Sequence, residues 1–173
     1  KINETFLHTT TYNGFGEESV TALAALNIIS EKNFEKKVIN VSKLLKDKLK
    51  KIKKTHSDKV EEIKGNGILN GIVFKSYMSE LGNLVEKIPV SVIKDKSSFL
   101  KKITATAISA ELYEKHNILT SINDSSFSDH LCVSPSLVVS DENIEFFFKS
   151  LDEVLSSNVN LKSLSVILNF LKS

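Results

Sequence analysis

A hydroxyl-rich run, Thr9-Thr10-Thr11-Tyr12, follows His8 and leads through Asn13-Gly14-Phe15-Gly16 into Glu17-Glu18-Ser19-Val20-Thr21-Ala22-Leu23-Ala24-Ala25-Leu26. Hydroxyls beside a glycine-containing turn and a helix start offer O–H and backbone N–H donors to an oxyanion such as a phosphate. Taken alone, Thr11 reads as an ordinary turn hydroxyl. The other reactive residue types are scattered. His8, His56, His116 and His130 show no metal-ligand spacing, and with one cysteine no structural zinc site is expected. Ser126-Phe127-Ser128-Asp129-His130 holds the residue types of a hydrolase triad. A triad draws on separated elements that converge in space, so this run reads as a polar loop. Cys132 has no partner for an internal disulfide, which fits a reducing compartment and a cytoplasmic location. It reads as a small buried hydrophobe, with a reactive thiol as the alternative.

The charge pattern narrows the function classes. Net charge is +2, and all 23 basic residues are lysine. Arginine supplies the planar fork that grips carboxylates, phosphates and guanine edges, so its absence argues against sequence-specific reading of DNA. It also denies this chain a bidentate clamp for a substrate carboxylate. Nine lysines, Lys36 and Lys37 through Lys53 and Lys54, crowd one face of a predicted helix. Such a face can meet nucleic acid or an acidic membrane. No aromatic residue interleaves with them, so they read as a solvated face, and neither nucleic acid nor membrane is the expected partner.

The 173 residues suffice for one domain of about 100–200 residues, and 41% hydrophobic content fits a globular chain. No apolar run reaches the roughly 18 residues of a membrane span. Lys1 in place of Met, with no signal-peptide pattern, reads as an excised piece or a processed product.

The elements that would position these residues follow from periodicity. A first helix is predicted over about 17–30, with acids in its first turn and a dense small-residue surface suited to close packing or an interface. A second is predicted over about 33–54, where Phe34, Val38, Val41, Leu45, Leu49 and Ile52 recur at steps of three and four. Residues 60–74 read as two short strands about Gly65-Asn66-Gly67, either a tight turn or a backbone lying close to a ligand. Residues 76–102 read as an insertion, with a short helix at Tyr77–Val85 and a strand at Ile88–Ile93. A helix is predicted from Thr104 to His116, with Ile108, Leu112 and Tyr113 on its apolar side. Strands follow at Ile118–Ile122 and Leu131–Val133. Ser140 caps a last helix striped by Ile144, Phe147, Leu151 and Val154. Leu161 to Leu171 gives the tail another apolar set. The fold class is α+β, a small antiparallel or mixed sheet backed by helices.

This order and three local motifs resemble the C-terminal part of class III aminotransferases. His8-Thr9-Thr10-Thr11-Tyr12-Asn13-Gly14 is similar to the family's His-Gly-Ser-Thr-Phe-Gly-Gly loop. Ile63-Lys64-Gly65-Asn66-Gly67-Ile68-Leu69-Asn70-Gly71-Ile72 resembles its Val-Arg-Gly-x-Gly-Leu-x-x-Gly-Ile hairpin. Leu131-Cys132-Val133-Ser134-Pro135-Ser136-Leu137 resembles its Ile-Arg-x-x-Pro-Pro-Leu strand end. The resemblance runs from about His8 to about Leu155.

The resemblance implies the small C-terminal domain of a fold-type I enzyme dependent on pyridoxal 5′-phosphate, whose parent is α/β. Residues 1–16 would be an interdomain segment with the cofactor-phosphate loop, 17–155 the small domain, and 156–173 a packing helix or linker. Thr11 would hydrogen-bond the cofactor phosphate, usually across a homodimer interface. Thr10 and Tyr12 are weaker candidates for the same pocket wall. The Schiff-base lysine would lie upstream, so this chain alone is expected to be inactive. The intact enzyme would move an amino group between an amine or amino acid and a keto acid or aldehyde. Related members run aminomutase or racemase chemistry. Two departures stand out. Gly14-Phe15-Gly16 replaces the family's Gly-Asn-Pro helix start, and Cys132 stands where many members carry the arginine that grips an α-carboxylate. The small-molecule substrate would then carry its amine far from any acid, or be carrier-bound. The alternative is a catalytically inactive aminotransferase-like interaction module within a larger protein.

Overall fold

The structure, a computed structural model, describes residue 11 and residues 16–75, 95–125 and 128–157. Thr10, Tyr12, the predicted elements at Tyr77–Val85 and Ile88–Ile93, and the tail beyond 157 lie outside the described residues. The chain forms two compact units, Lys1–Lys37 and Val38–Ser173.

In the first unit Thr11 occupies a turn and is exposed. Helix α1 covers Gly16–Ile29, with Glu17 and Glu18 in its first turn, where acids complement the unpaired backbone N–H groups. None of its residues is buried. Val20 is 70% exposed, and Leu23, Leu26, Ile28 and Ile29 are also exposed. The dense apolar surface expected here therefore exists, and it is exposed among the described residues.

Helix α2 covers Lys32–Thr55 and runs from the first unit into the second. Its predicted stripe is buried at Val41, Leu45, Leu49 and Ile52, while Phe34 and Val38 are half-buried. Strands β1 (Val60–Asn66) and β2 (Leu69–Phe74) follow as an antiparallel hairpin. Its two-residue turn, Gly67-Ile68, puts Gly67 at φ +62°, the left-handed conformation a II′ turn demands at its first central position. Gly65 sits at φ +98°, and a Cβ there would lie 2.1 Å from the Leu69 carbonyl oxygen, so only glycine fits. The Asn70 side-chain amide donates to the Gly67 carbonyl at 3.0 Å and braces the turn.

Helix α3 covers Lys96–His116. It starts at Lys96 rather than at Thr104, so residues 96–102 of the expected insertion are its first turns. The cap is Asp95, whose carboxylate accepts from the Ser98 N–H at 3.1 Å. Tyr113, expected on the apolar side, is 58% exposed. The buried face is instead Ile103, Thr104, Ala105, Ala107, Ile108, Glu111 and Leu112. Asn117 ends α3 in the left-handed region at φ 55°, its N–H donating to the Tyr113 carbonyl at 2.9 Å while the Ile118 N–H donates to the Leu112 carbonyl at 3.1 Å. Strands β3 (Ser121–Ser125) and β4 (Ser128–Val133) form the second hairpin. Here too the predicted bounds shift: 118–120 are lead-in, and β4 begins before Leu131. Ser140 caps α4 (Asp141–Ser156), its hydroxyl accepting from the Asn143 N–H at 3.3 Å.

Among the described residues the sheet is antiparallel throughout, in the order β1-β2-β4-β3. Its central pairing, β2 with β4, joins the two hairpins. The register aligns Ile63, Ile72, Leu131 and Ile122 in one row across all four strands. That row packs with Leu45 and Leu49 of α2, Ile108 and Leu112 of α3, and Leu151 and Leu155 of α4. Burying each such side chain contributes about 1.5–3 kcal/mol, against roughly 0–1 for a surface ion pair such as Lys101–Glu61 at 2.7 Å. The apolar row therefore sets the register.

Candidate functional site

The end of β4 and the start of α4 enclose a cleft of about 240 Å³. Cys132, Val133, Ser134 and Pro135 form one side. Ile118, Leu119, Thr120 and Ser121, the lead into β3, form another. Asn143, Ile144 and Phe147 of α4, with Leu45 of α2, complete it. Local chemistry builds each wall. The left-handed cap at Asn117 turns the chain sharply from α3 into Ile118. The Ser109 and Thr120 hydroxyls then meet at 2.7 Å and pin that lead-in to α3. Pro135 lacks an N–H and cannot extend the ladder of β4. The Ser140 cap aims the first turn of α4 at the cleft.

Hydroxyls, one amide and one thiol give this cleft hydrogen-bonding capacity without a fixed charge. Cys132 is half-buried, not fully buried as its reading as a small hydrophobe predicts. No lysine or histidine lines the cleft. It suits a neutral, partly apolar group and offers a carboxylate no cation.

Other polar contacts fasten the elements together. The His56 Nε2 and Asp152 Oδ1 atoms lie 2.7 Å apart and tie the end of α2 to α4. Lys48 pairs with Glu145 between the same helices. Glu111 is buried but compensated by the Lys115 ammonium at 2.9 Å and the Ser157 hydroxyl at 3.3 Å. All but the Glu111–Lys115 pair join residues far apart in the chain, where no local pattern marks them.

The sequence-predicted phosphate residues are only partly described. Thr11 lies in an exposed turn ahead of α1, and Thr10 and Tyr12 are outside the described residues. Of the polar run, Ser126, Phe127 and the side chains of Ser128 and Asp129 lie outside the described residues, and His130 is described. Its Nδ1 is buried and has no hydrogen-bond partner. Its ring lies against Gly71, where a Cβ would come within 2.3 Å of Cδ2. Among the described residues no group of three or more His, Cys, Asp or Glu could hold a metal.

With this geometry in view, the chain belongs to the class III aminotransferase family: the family's model, aminotransferase class-III, matches residues 1–155. A mitochondrial acetylornithine aminotransferase from Candida glabrata is 27% identical over 108 residues, 62% of this chain and 25% of that protein. Among solved structures, a transaminase from the marine bacterium Virgibacillus aligns with a TM-score of 0.63 at 17% identity, over 94% of this chain and 32% of that one. An adenosylmethionine-8-amino-7-oxononanoate aminotransferase from Methanocaldococcus jannaschii aligns at 0.61 and 20% identity, over 90% and 31%. At these identities the structural likeness shows a shared fold. The chain spans about a quarter of the length of the curated relative it matches.

The close approach of Gly71 to the imidazole yields a test. Gly71→Ala should destabilise the chain by about 1–3 kcal/mol through overpacking. In a His130→Ala background most of that loss should vanish, read as coupling between the two sites in urea denaturation. Equal losses in both backgrounds would remove His130 as the obstacle.

Proposed function

We propose that this chain is the small-domain portion of a pyridoxal 5′-phosphate-dependent aminotransferase. Residues 1–16 serve as interdomain segment and phosphate loop, 17–155 as the small domain, and 156–173 as a packing helix or linker. The match of residues 1–155 to the class III family carries the reading. The intact protein moves an amino group between an amine or amino acid and a keto acid or aldehyde. It acts as a homodimer in the cytoplasm. Among the described residues no helix is long and apolar enough to cross a membrane.

The donor chemistry near Thr11 fits a phosphate. Its hydroxyl is exposed, and Gly16 at the head of α1 has open space where a Cβ would stand. A hydroxyl and neighbouring N–H groups satisfy phosphate oxygens without adding charge. Thr11 holds the phosphate of a cofactor anchored on the partner subunit, with Thr10 and Tyr12 along the same wall. When bound, pyridoxal 5′-phosphate supplies an electron sink that labilises bonds at the amine-bearing carbon. The lysine that anchors it belongs to the rest of the protein. The uncovered apolar side chains of α1 support a neighbouring polypeptide over this helix.

The cleft at the end of β4 orients the substrate in this reading. Thr120, Ser121, Ser134 and Asn143 offer it hydrogen bonds, and the Cys132 thiol replaces an arginine fork. The preferred substrate therefore presents no α-carboxylate to this wall. Its amine lies far from any acid or on a carrier.

Two measurements check the proposal. Thr11→Ala in the full-length protein should weaken cofactor retention about tenfold or more, read from the visible absorbance of bound cofactor after dialysis. Unchanged retention would take Thr11 out of the site, and no cofactor band in the unaltered protein would favour the inactive interaction module. Cys132→Arg should raise kcat/KM for donors with an α-carboxylate, relative to donors without one, by about tenfold. An unchanged ratio would exclude Cys132 from substrate recognition.

A further inference from the structure

A second concavity, of about 530 Å³, lies between α2 and the β1–β2 hairpin. Lys43, Lys46, Lys50 and Lys53 line it from the helix. Steps of three, four and three residues keep these lysines on one face over about 15 Å of helix axis. Gly65, Asn66, Gly67 and Asn70 form the opposing wall, and Ile39, Leu49 and Ile63 add apolar surface. The sequence marks the lysines as a solvated face. The hairpin turns that face into a groove.

Among the described residues no acid pairs with the positive charge in the groove. The ion pairs of the described residues engage Lys48, Lys64, Lys101 and Lys115, and none of the four groove lysines. The acids of β1 are occupied elsewhere: Glu61 by Lys101 at 2.7 Å, and Glu62 beside Lys64 at 3.9 Å. Like charges three and four residues apart on a helix repel, and an anionic occupant relieves that repulsion.

The lining chooses among anions. A single phosphate would engage two lysines and leave the apolar surface unused. Nucleic acid binding calls for aromatic stacking or arginine forks, and the lining has neither. A bilayer surface does not enter a concave groove. An extended polypeptide places alternate side chains about 7 Å apart on each face, so three successive carboxylates on one face span the roughly 15 Å held by the four lysines. Carboxylates on one face would meet the lysines while apolar side chains on the other cover Ile39 and Ile63. β1 is an edge strand of the sheet, so the groove also borders a strand edge with no strand neighbour among the described residues. The chain's own remaining segments supply no such occupant. Residues 158–173 contain no Asp or Glu, 76–94 carry as many lysines as acids, and 1–15 hold Glu4 alone.

We infer that this groove is a docking site for an extended acidic segment of a partner protein, with carboxylates alternating with apolar side chains. No residue of its lining belongs to the proposed cofactor loop or to the cleft at β4. Its test is independent of transamination.

The probe is a fluorescein-labelled peptide of alternating Glu and Val, about ten residues long. Anisotropy is read with the full-length protein. Saturable binding is expected, weakened by added salt and lost when Gln replaces Glu in the peptide. Lys46→Gln/Lys50→Gln should weaken it about tenfold, and so should Lys43→Gln/Lys53→Gln as a second, independent variant. Lys36→Gln/Lys54→Gln, with the same loss of charge outside the groove lining, should leave affinity within about twofold. Circular dichroism melting confirms that each variant folds. The inference is overturned by absence of saturable binding, or by equal weakening in all three variants. It is also overturned if a single-stranded oligodeoxynucleotide, tripolyphosphate or anionic vesicles bind more tightly than the peptide.

Discussion

The second unit depends on one constraint: its sheet must bury the row Ile63, Ile72, Leu131 and Ile122 under α2, α3 and α4. Side chains alternate across a strand, so a slip of one residue would turn Gly71 and Cys132 toward the helices and the row away from them. No surface pair compensates for such a loss. With the register set, the other placements follow. The end of β4 is held beside the first turn of α4, which forms the cleft. The β1–β2 hairpin is held opposite the lysine face of α2, which forms the groove. Both concavities are by-products of one packing solution. What distinguishes them is the polarity of the residues that reach their rims.

The parts of this fold governed by local chemistry were legible in the sequence. The α2 stripe at Val41, Leu45, Leu49 and Ile52 is unbroken, and Ser140 followed by Asp141 and Glu142 marks a helix start without ambiguity. The glycines of Gly65-Asn66-Gly67 announce the hairpin through the positive φ that Gly65 adopts at the end of β1 and Gly67 in the turn, one residue later than the sequence pattern centres it. Helix α3 was misjudged because its apolar periodicity is blurred. Thr104 and Glu111 occupy buried positions, several buried neighbours are small alanines, and lysines and serines fill its first turns. Tyr113 looked apolar by type yet faces solvent, since Leu112 and Ile108 already fill the core side. The strand order could not be read at all. It depends on β2 meeting β4 across a long separation, which no local pattern encodes.

The candidate site was legible to a similar degree. The hydroxyl turn at Thr11 and the strand end at Cys132 stand out as motifs because their residue types are unusual in sequence. The Ser109–Thr120 contact and the His56–Asp152 pair are ordinary residues made significant by folding. The lysine face of α2 was visible as a pattern, but its concavity belongs to the hairpin that confronts it. Helix α1 shows the opposite case. Its apolar side chains suggested packing or an interface, and among the described residues they are exposed. A stretch spanning about a quarter of its curated relative can hold a buried core and still expose the apolar side chains of a helix.

That division between a self-sufficient core and an uncovered α1 is the central claim, and amide hydrogen exchange addresses it directly. The comparison is between the 173-residue chain alone and the full-length protein. The account predicts slow, cooperative exchange of β2, β4 and α3 in both, with α1 exchanging rapidly in the isolated chain and protected in the full-length protein. Protection of α1 in the isolated chain equal to that of β2, or a sheet that exchanges as fast as α1, would contradict it.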